Sequence, residues 1–377
     1  MASNTIKDLV SEGQSVWQDD ISRDMIQSGK LKERIEEVGI RGVTSNPTIF
    51  QKAISGSDAY DDEIRSMLGE GKSAAEIFQT VAVKDIQDAC DLFRPLYDSS
   101  NGEDGFVSIE VLAELARDTD GTIQNARELW KAVDRPNVMV KVPGTDEGAV
   151  AIERLLIEGI NINITLLFSI ANYERVAYAY LNALQTRHAK GEPINRLASV
   201  ASFFVSRVDT LADKKIDAKL ASGSTAAMGL EKLKGKVAVA NAQLAYEKFQ
   251  ELFGSDQFKK VEAVGAQVQR PLWASTGTKN KAYSDVLYVD TLIGPHTVNT
   301  MPVATMEAFL DHGSVKRTVD ADYEAAHGVF DDMEAAGISI DEITRQLEDE
   351  GIDTFVKSYD DLLEGVEAKR GALAAAK

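Results

Sequence analysis

A lysine lies inside a short apolar run, where its chemistry differs from that of a lysine on the protein surface. Lys141 is the fourth residue of Val-Met-Val-Lys-Val-Pro at 138–143. An amine in a medium of low dielectric has a lowered pKa, which enlarges its neutral, nucleophilic fraction. Such an amine can attack a carbonyl and form an imine. The alternative is a lysine at a strand end whose ammonium group reaches solvent or pairs with a carboxylate.

Imine formation also requires groups that move protons, and polar residues in other apolar runs could supply them. Asp19, Glu110 and Thr165 lie at or near the ends of three such runs. Asp19 could instead cap the following helix, although Asp20 suits that role better. Glu110 could begin a helix over 111–115, where acids are favourable, and Thr165 could be a polar core residue. Together these residues predict Schiff-base chemistry on a carbon–carbon bond without a metal ion.

Neutral polar residues in further runs could bind the hydroxyl groups of a substrate. They are Asn46, Asn163 and Ser202. Taken alone, Asn46 before Pro47 is typical of a turn, and Asn163 could be a core residue bonded to backbone. Arg207, just beyond Ser202, adds a positive charge.

These residues occur in eight short apolar runs that alternate with helix-period stretches. The runs are 15–19, 42–46, 106–110, 138–142, 161–166, 199–206, 271–276 and 297–301. Strands that alternate with helices form parallel sheets. Eight units in about 300 residues fit a closed (β/α)8 barrel better than an open doubly wound sheet, which is the alternative. Residues 1–377 are therefore expected to form one α/β domain, a single (β/α)8 TIM barrel with extra N-terminal and C-terminal helices.

Helical periodicity predicts the elements between the strands. The predicted helices are 73–92, 147–158, 171–188, 238–253, 324–334 and 341–350. The first begins with Ser73 and Glu76 at the spacing of a capping box. Residues 208–237 are interpreted as a long insertion after the sixth strand.

The side chains of a barrel strand alternate between an inward face and an outward face, which must be apolar because it packs under helices. Polar residues are therefore predicted to point inward. The inward sets are Trp17 with Asp19, Thr44 with Asn46, Phe106 and Ser108 with Glu110, Met139 with Lys141, Asn161 and Asn163 with Thr165, Ser202 with Phe204 and Ser206, and Trp273 with Ser275. The most polar members lie toward the C-terminal ends of the strands, where active sites of this fold are built.

The composition excludes several classes of function. The 377 residues contain 41 Lys and Arg against 60 Asp and Glu, a formal net charge of −19, so binding to nucleic acid or to an anionic membrane surface is disfavoured. Cys90 is the only cysteine, which rules out an internal disulfide and a cysteine-cluster metal site. No run has the length of a membrane span or of a signal peptide. We expect a cytoplasmic protein.

Other sequence motifs are weak. Residues 69–73 end like a phosphate-binding P-loop, but no strand precedes them, and we interpret them as a helix cap. The four histidines form no HExxH motif, and no GxGxxG follows a strand. A zinc hydrolase and a dinucleotide enzyme are therefore not predicted.

Two signatures resemble those of transaldolases. Residues 42–50 resemble their second-strand signature, and 140–143 with 158–169 resemble the strand of their Schiff-base lysine and the strand after it. Residues 17–23 and 272–279 look like the longer bacterial branch of the family. The resemblance implies a cytosolic enzyme of the non-oxidative pentose phosphate pathway that needs no cofactor. It would move a dihydroxyacetone unit from sedoheptulose 7-phosphate to glyceraldehyde 3-phosphate, giving erythrose 4-phosphate and fructose 6-phosphate.

The resemblance also implies a role for each candidate residue. Lys141 would be the imine-forming nucleophile, and Asp19 the acid/base for the hydroxyl at the bond being cleaved. Glu110 and Thr165 would hold the water that exchanges protons. The residues that would bind the dihydroxyacetone hydroxyls are Asn46, Asn163 and Ser202.

The phosphate site departs from better-known branches of the family. Arg207 matches the family's phosphate arginine, but a second arginine after the serine of the seventh strand is missing. This chain has Ser275 and, four residues later, Lys279, and both are predicted to bind substrate. Lys279 would be the second phosphate ligand, although lysine is a weaker bidentate partner than arginine. Because the net charge repels anions at long range, these cations are expected to supply the local positive charge.

Two other functions fit the same residues. A simple aldolase would release free dihydroxyacetone instead of passing it to an aldose. A non-catalytic barrel would only bind sugar phosphates, although the intact lysine and carboxylates argue against this function. The sequence leaves the oligomeric state open.

Overall fold

The computed structural model describes residues 4–222 and 229–375, within which eight parallel strands form a closed barrel. The strands are β1 (Gln14–Gln18), β2 (Gly42–Val43), β3 (Phe106–Glu110), β4 (Val138–Pro143), β5 (Ile162–Leu167), β6 (Ser199–Phe204), β7 (Arg270–Ala274) and β8 (Thr297–Met301). Neighbours in the chain pair with each other, and β1 also pairs with β8. Each predicted run overlaps one of these strands, and the (β/α)8 barrel is confirmed.

Helices connect the strands and extend the barrel at both ends of the chain. They are α1 (Thr5–Ser11), α2 (Arg23–Gln27), α3 (Lys30–Glu33), α4 (Pro47–Ser55), α5 (Asp61–Gly69), α6 (Ala74–Ser99), α7 (Thr119–Val133), α8 (Asp146–Ile157), α9 (Ile170–Ala189), α10 (Ser206–Ala221), α11 (Val237–Phe253), α12 (Asp256–Glu262), α13 (Leu287–Asp290), α14 (Val303–His312), α15 (Tyr323–Ala335) and α16 (Ile340–Ala375). None of the described helices is long and apolar enough to cross a membrane.

The predicted helix cap before α6 is confirmed. Ser73 Oγ accepts a hydrogen bond from the Glu76 backbone N–H, and Glu76 Oε2 accepts one from the Ser73 backbone N–H at 2.8 Å. The P-loop-like residues 69–73 therefore lead into a capping box.

The interpretation of 208–237 as an insertion is wrong. Most of its first half belongs to α10, the helix that follows β6, and a short 3₁₀ turn covers Leu230–Leu233. Residues 223–228 lie outside the described residues. Charged side chains obscure the helical period, which is carried by buried residues four positions apart: Val208, Ala212 and Ile216.

The last helix is longer than predicted and crosses the C-terminal end of the barrel. The predicted helix over 341–350 continues through Gly351 as α16. A Cβ at Gly351 would lie 3.2 Å from Leu166 Cδ2, at the end of β5. Farther along, Lys369 Nζ donates to the Ile54 carbonyl at 2.9 Å. These contacts hold α16 over the mouth of the barrel.

An apolar cluster fills part of the barrel interior. The cluster there contains Trp17, Tyr97, Phe106, Met139, Ala198, Val200, Leu272, Ala274 and Val298. The predicted inward side of β7 is therefore wrong, since Leu272 and Ala274 face inward. Trp273 packs outward, and its Nε1 donates to the Leu292 carbonyl at 2.9 Å. The predicted run began at 271 and so left out Arg270, which lies on the same face as Leu272 and is paired with the buried Asp104. Without Arg270, Leu272 and Trp273 are both apolar, and alternation of polarity could not decide between the two faces.

Candidate active site

A cavity of about 420 Å³ opens at the C-terminal end of the barrel. Nine of the ten predicted site residues line it: Asp19, Asn46, Glu110, Lys141, Thr165, Ser202, Arg207, Ser275 and Lys279. Most of them lie at or just after the carboxyl ends of strands, and these ends meet at one end of a barrel. The structure therefore brings these nine side chains together, as the sequence predicted.

Lys141 lies on the cavity wall in the middle of the site. On neighbouring strands it is in register with Glu110 on one side and with Asn163 on the other. Lys141 Nζ lies 3.0 Å from Glu110 Oε1 and donates to the Ser45 carbonyl at 3.0 Å. Only 7% of the lysine is exposed, so its amine does not reach bulk solvent. The ion pair that the sequence left open exists, but it is buried at the cavity.

Glu110 has one carboxylate oxygen on Lys141 and one that is free. Its Oε2 is buried and has no hydrogen-bond partner among residues 4–222 and 229–375. Burial raises the pKa of Glu110, the charge of Lys141 lowers it, and the net direction is upward. The predicted alternative that Glu110 begins an α-helix over 111–115 is wrong, because these residues contain only a 3₁₀ turn at Ala113–Leu115. A carboxyl group with a free oxygen beside an amine can bind water and exchange protons with it.

Asp19 is held in place by a hydrogen bond from the residue that follows β2. Thr44 Oγ1 donates to Asp19 Oδ1 at 2.7 Å. Burial raises the pKa of Asp19, while the Thr44 hydrogen bond and the charges of Lys141 and Lys279 lower it, with a net upward direction. The capping alternative for Asp19 is wrong, because the N-cap of α2 is Ser22.

Ser202 and Asn163 are hydrogen-bonded to each other at the bottom of the cavity. Ser202 Oγ donates to Asn163 Oδ1 at 2.7 Å, and Asn163 Nδ2 donates to Ser108 Oγ at 3.0 Å. Asn163 is fully buried and is absent from the cavity wall. In this structure its amide therefore orients the Ser202 hydroxyl, which does line the cavity.

The side chain of Asn46 caps a helix and also lines the cavity. It is the N-cap of α4, with Oδ1 accepting from the Ile49 backbone N–H at 3.0 Å. The side chain also lines the cavity, and its Nδ2 is left to donate to a ligand. The turn expected before Pro47 is thus the start of a helix.

Two predicted cations occupy the wall near β6 and β7. Arg207 is the second residue of α10, and its guanidinium Cζ lies 5.3 Å from the ring centroid of Phe204. It has no carboxylate partner among the described residues, and burial lowers its pKa. Lys279 follows β7 and is exposed at the rim. Both cations are therefore available to an anionic ligand.

Ser275 reaches the cavity although the parity of β7 was predicted wrongly. Its φ is 58°, a left-handed conformation that turns the chain immediately after the strand. Its Oγ lies 2.9 Å from Ser206 Oγ. The turn, and not the alternation of the strand, brings Ser275 to the wall.

Comparison with known proteins agrees with this geometry. A sequence model of the Transaldolase/Fructose-6-phosphate aldolase family matches residues 16–366. The chain belongs to this family.

Curated members of the family match the whole chain. The transaldolase of Trichodesmium erythraeum is 47% identical over 98% of both chains. The transaldolase of Mycolicibacterium smegmatis is 47% identical, and transaldolase 2 of Streptomyces coelicolor is 45% identical, each over 100% of both chains. The resemblance drawn from the motifs is therefore confirmed, and these relatives are bacterial.

Within this family member, several wall residues were not predicted from the sequence. Lys52 of α4 adds a further cation to the wall, and it is exposed like Lys279. It lies four residues after Thr48, also on the wall, so the helical period after the Asn46 cap could have indicated it. Thr354, Phe355 and Ser358 of α16 also line the cavity. No local signal marks them, because their position depends on how α16 crosses the barrel.

A larger cavity of about 520 Å³ lies between α8, α9 and α16. Its Arg117 and Arg175 are paired with Asp349 and Asp146. Arg345 lines the cavity without a carboxylate partner in the described part of the chain, but the lining contains no lysine, so this cavity lacks the amine that imine formation needs. We therefore place the candidate active site of this family member in the cavity around Lys141.

Proposed function

We propose that Lys141 forms the imine of a transaldolase reaction in this protein, with Asp19 and Glu110 moving the protons. The protein is a transferase that moves a dihydroxyacetone unit from sedoheptulose 7-phosphate to glyceraldehyde 3-phosphate. The products are erythrose 4-phosphate and fructose 6-phosphate. The observation that supports these roles best is the buried Lys141–Glu110 pair, 3.0 Å apart, in a cavity that also contains Asp19.

Imine formation begins at the Lys141–Glu110 pair. Lys141 gives a proton to Glu110, and the neutral amine attacks the C2 carbonyl of the ketose. The carbinolamine then loses its hydroxyl as water, with the proton supplied from Glu110 through a water molecule held beside Thr165. The product is a protonated imine. Each step balances with groups of the chain and water, so no cofactor or metal is required for the scheme.

Asp19 performs the bond cleavage. Its carboxylate accepts the proton of the C4 hydroxyl, the C3–C4 bond breaks, and the electron pair moves into the imine to form an enamine. The aldose product leaves with a new carbonyl group. The enamine then attacks the aldehyde carbon of the acceptor, and Asp19 returns its proton to the new C4 oxygen. Hydrolysis of the imine releases the ketose and restores Lys141.

The remaining residues hold the two ends of the substrate. Ser202 and the Nδ2 of Asn46 bind hydroxyl groups of the dihydroxyacetone unit, and Asn163 orients Ser202 from below. Arg207 and Lys279 bind the phosphate group, since neither has a carboxylate partner among the described residues. Their local charge opposes the repulsion of a chain with net charge −19.

Release of free dihydroxyacetone is the alternative within this family. The transfer reaction is favoured by α16, which narrows the cavity mouth and so limits the access of water to the enamine. The test compares, in one assay with fructose 6-phosphate as donor, transfer to erythrose 4-phosphate with release of free dihydroxyacetone. Transfer should dominate. Release as the main reaction would contradict the transferase assignment.

A further inference from the structure

The loop that carries Lys279 is tied to α10 by two tyrosines. Tyr288 Oη donates to Asp209 Oδ2 at 2.8 Å, and Tyr283 Oη donates to Asp213 Oδ2 at 2.5 Å. The tyrosines follow β7 in the chain, and both aspartates belong to α10. These bonds thus join the connection after β7 to the helix after β6.

The two aspartates are themselves fixed at their second oxygens. Asp209 Oδ1 accepts from the Ala238 backbone N–H at 2.7 Å, and Asp213 Oδ1 accepts from the Gly235 backbone N–H at 3.1 Å. Ala238 is the second residue of α11, and Gly235 lies just before the helix. Gly235 has a φ of 72°, and a Cβ there would lie 2.8 Å from Tyr283 Cζ, so the tyrosine ring rests directly on this glycine. The aspartates are therefore rigid acceptors for the two phenols.

The clamp, meaning the pairs Tyr283–Asp213 and Tyr288–Asp209, adjoins the candidate active site. Its residues line a cavity of about 390 Å³ whose wall also includes Lys279, and Lys279 lines the active-site cavity as well. The same helix that holds the two aspartates begins with Arg207. The clamp therefore links the chain segments of both proposed phosphate ligands.

The position of Lys279 depends on its loop, in which the neighbouring Thr278 Oγ1 donates to the Ser284 carbonyl at 2.9 Å without joining the loop to α10. The Lys279 side chain is exposed and makes no hydrogen bond or ion pair within the described residues. A free lysine loses rotamer entropy when it binds a ligand, and a mobile loop would add backbone entropy to that cost. We propose that the clamp positions Lys279 for the substrate phosphate and thereby lowers the KM for phosphorylated sugars. This inference rests on the proposed function.

The test uses the full-length protein with Tyr283→Phe, Tyr288→Phe and the double variant. The KM for fructose 6-phosphate should rise about three- to tenfold, because one charged hydrogen bond to the phosphate is positioned less well. The value of kcat should stay within about twofold of wild type. Borohydride-dependent inactivation by dihydroxyacetone, which lacks a phosphate, should keep its rate. Tyr323→Phe is the matched control, because this phenol donates to Gln250 Oε1 away from the site.

A double-mutant cycle separates positioning from general damage. In a Lys279→Ala background the tyrosine substitutions should raise the KM no further. The clamp is overturned if the KM for fructose 6-phosphate is unchanged in the tyrosine variants while Lys279→Ala raises it. The proposal would also be overturned if the tyrosine substitutions raised the KM equally in the wild-type and the Lys279→Ala background. The same holds if they weakened the reaction with dihydroxyacetone as much as the reaction with fructose 6-phosphate. Failure of the proposed function is distinct, since it would appear as missing imine trapping in the wild-type protein.

Discussion

Glu110 and Lys141 face each other in register on β3 and β4, with Glu110 Oε1 3.0 Å from Lys141 Nζ. Each side chain is only 9% exposed. Burial favours the neutral carboxylic acid of Glu110, and the lysine charge favours its carboxylate. Opposing effects of this kind allow the carboxyl group to take a proton from the amine and pass it to water.

Replacement of Glu110 by Gln should slow imine formation. The amide keeps the shape of the side chain but cannot accept the proton of Lys141, so kcat should fall about a hundredfold, within the usual contribution of general acid–base catalysis. Rapid mixing with fructose 6-phosphate would measure the rate of imine formation. Glu114→Gln, on the exposed turn after β3, is the matched control. If imine formation in Glu110→Gln stays within about threefold of the wild-type rate, Glu110 does not take part in the proton transfer.

Replacement of Asp19 by Asn should separate imine formation from bond cleavage. The amide cannot accept the C4 hydroxyl proton, so turnover should fall about a hundredfold or more while imine trapping with fructose 6-phosphate persists. Product assays and borohydride trapping on the same samples would measure the two steps. The exposed Asp24→Asn serves as control. Unchanged turnover in Asp19→Asn would show that the carboxylate is not the base.

The pH profile should depend on the hydrogen bond from Thr44 to Asp19. This bond lowers the pKa of Asp19, whereas burial raises it. Thr44→Val removes the lowering contribution, so the pKa rises and the acid limb of kcat/KM moves to higher pH. Lys279→Ala should move the limb in the same direction, because it removes a cation that lowers the same pKa. Thr48→Val, on the same wall without a bond to Asp19, should not move it, and a shift of the Thr44→Val limb to lower pH would contradict the assignment.

Replacement of Arg207 by Gln should weaken binding of phosphorylated donors. The guanidinium has no carboxylate partner in the described part of the chain, so its charge is available to the substrate. The KM for fructose 6-phosphate should rise about tenfold or more, as expected for a hydrogen bond to a charged group. Arg154→Gln, an exposed residue paired with Asp120 at 3.4 Å, is the control. Equal KM values in the two variants would remove Arg207 from the phosphate site.

Much of the site follows from strand parity. Apolar neighbours at alternate positions make the inward side of Lys141 and Glu110 unambiguous, and the closed barrel then brings their strand ends together. Parity fails at Trp273, because its neighbour Leu272 is apolar as well. Ser275 still reaches the cavity, since the left-handed turn after the strand replaces the alternation.

Features that depend on tertiary packing could not be predicted. The sequence of α16 does not indicate that this helix crosses the barrel. Phe355 and Ser358 could therefore not be predicted to line the cavity. Asn163 was predicted to bind substrate, but its burial becomes apparent only when Ser108 and Ser202 are placed on either side of it. The two tyrosine–aspartate bonds of the clamp join residues that are 70 positions apart for Tyr283 and Asp213 and 79 positions apart for Tyr288 and Asp209. These separations lie beyond the range of any local pattern.

The most direct test of the account is reduction of the imine on Lys141. Wild-type protein is treated with borohydride in the presence of fructose 6-phosphate, and the modified peptide is identified by mass mapping. Lys141→Ala is the paired variant. We expect a reduced sugar adduct on Lys141 in the wild type, and neither an adduct nor activity in the variant. Absence of label at Lys141, or full activity of Lys141→Ala, would contradict it.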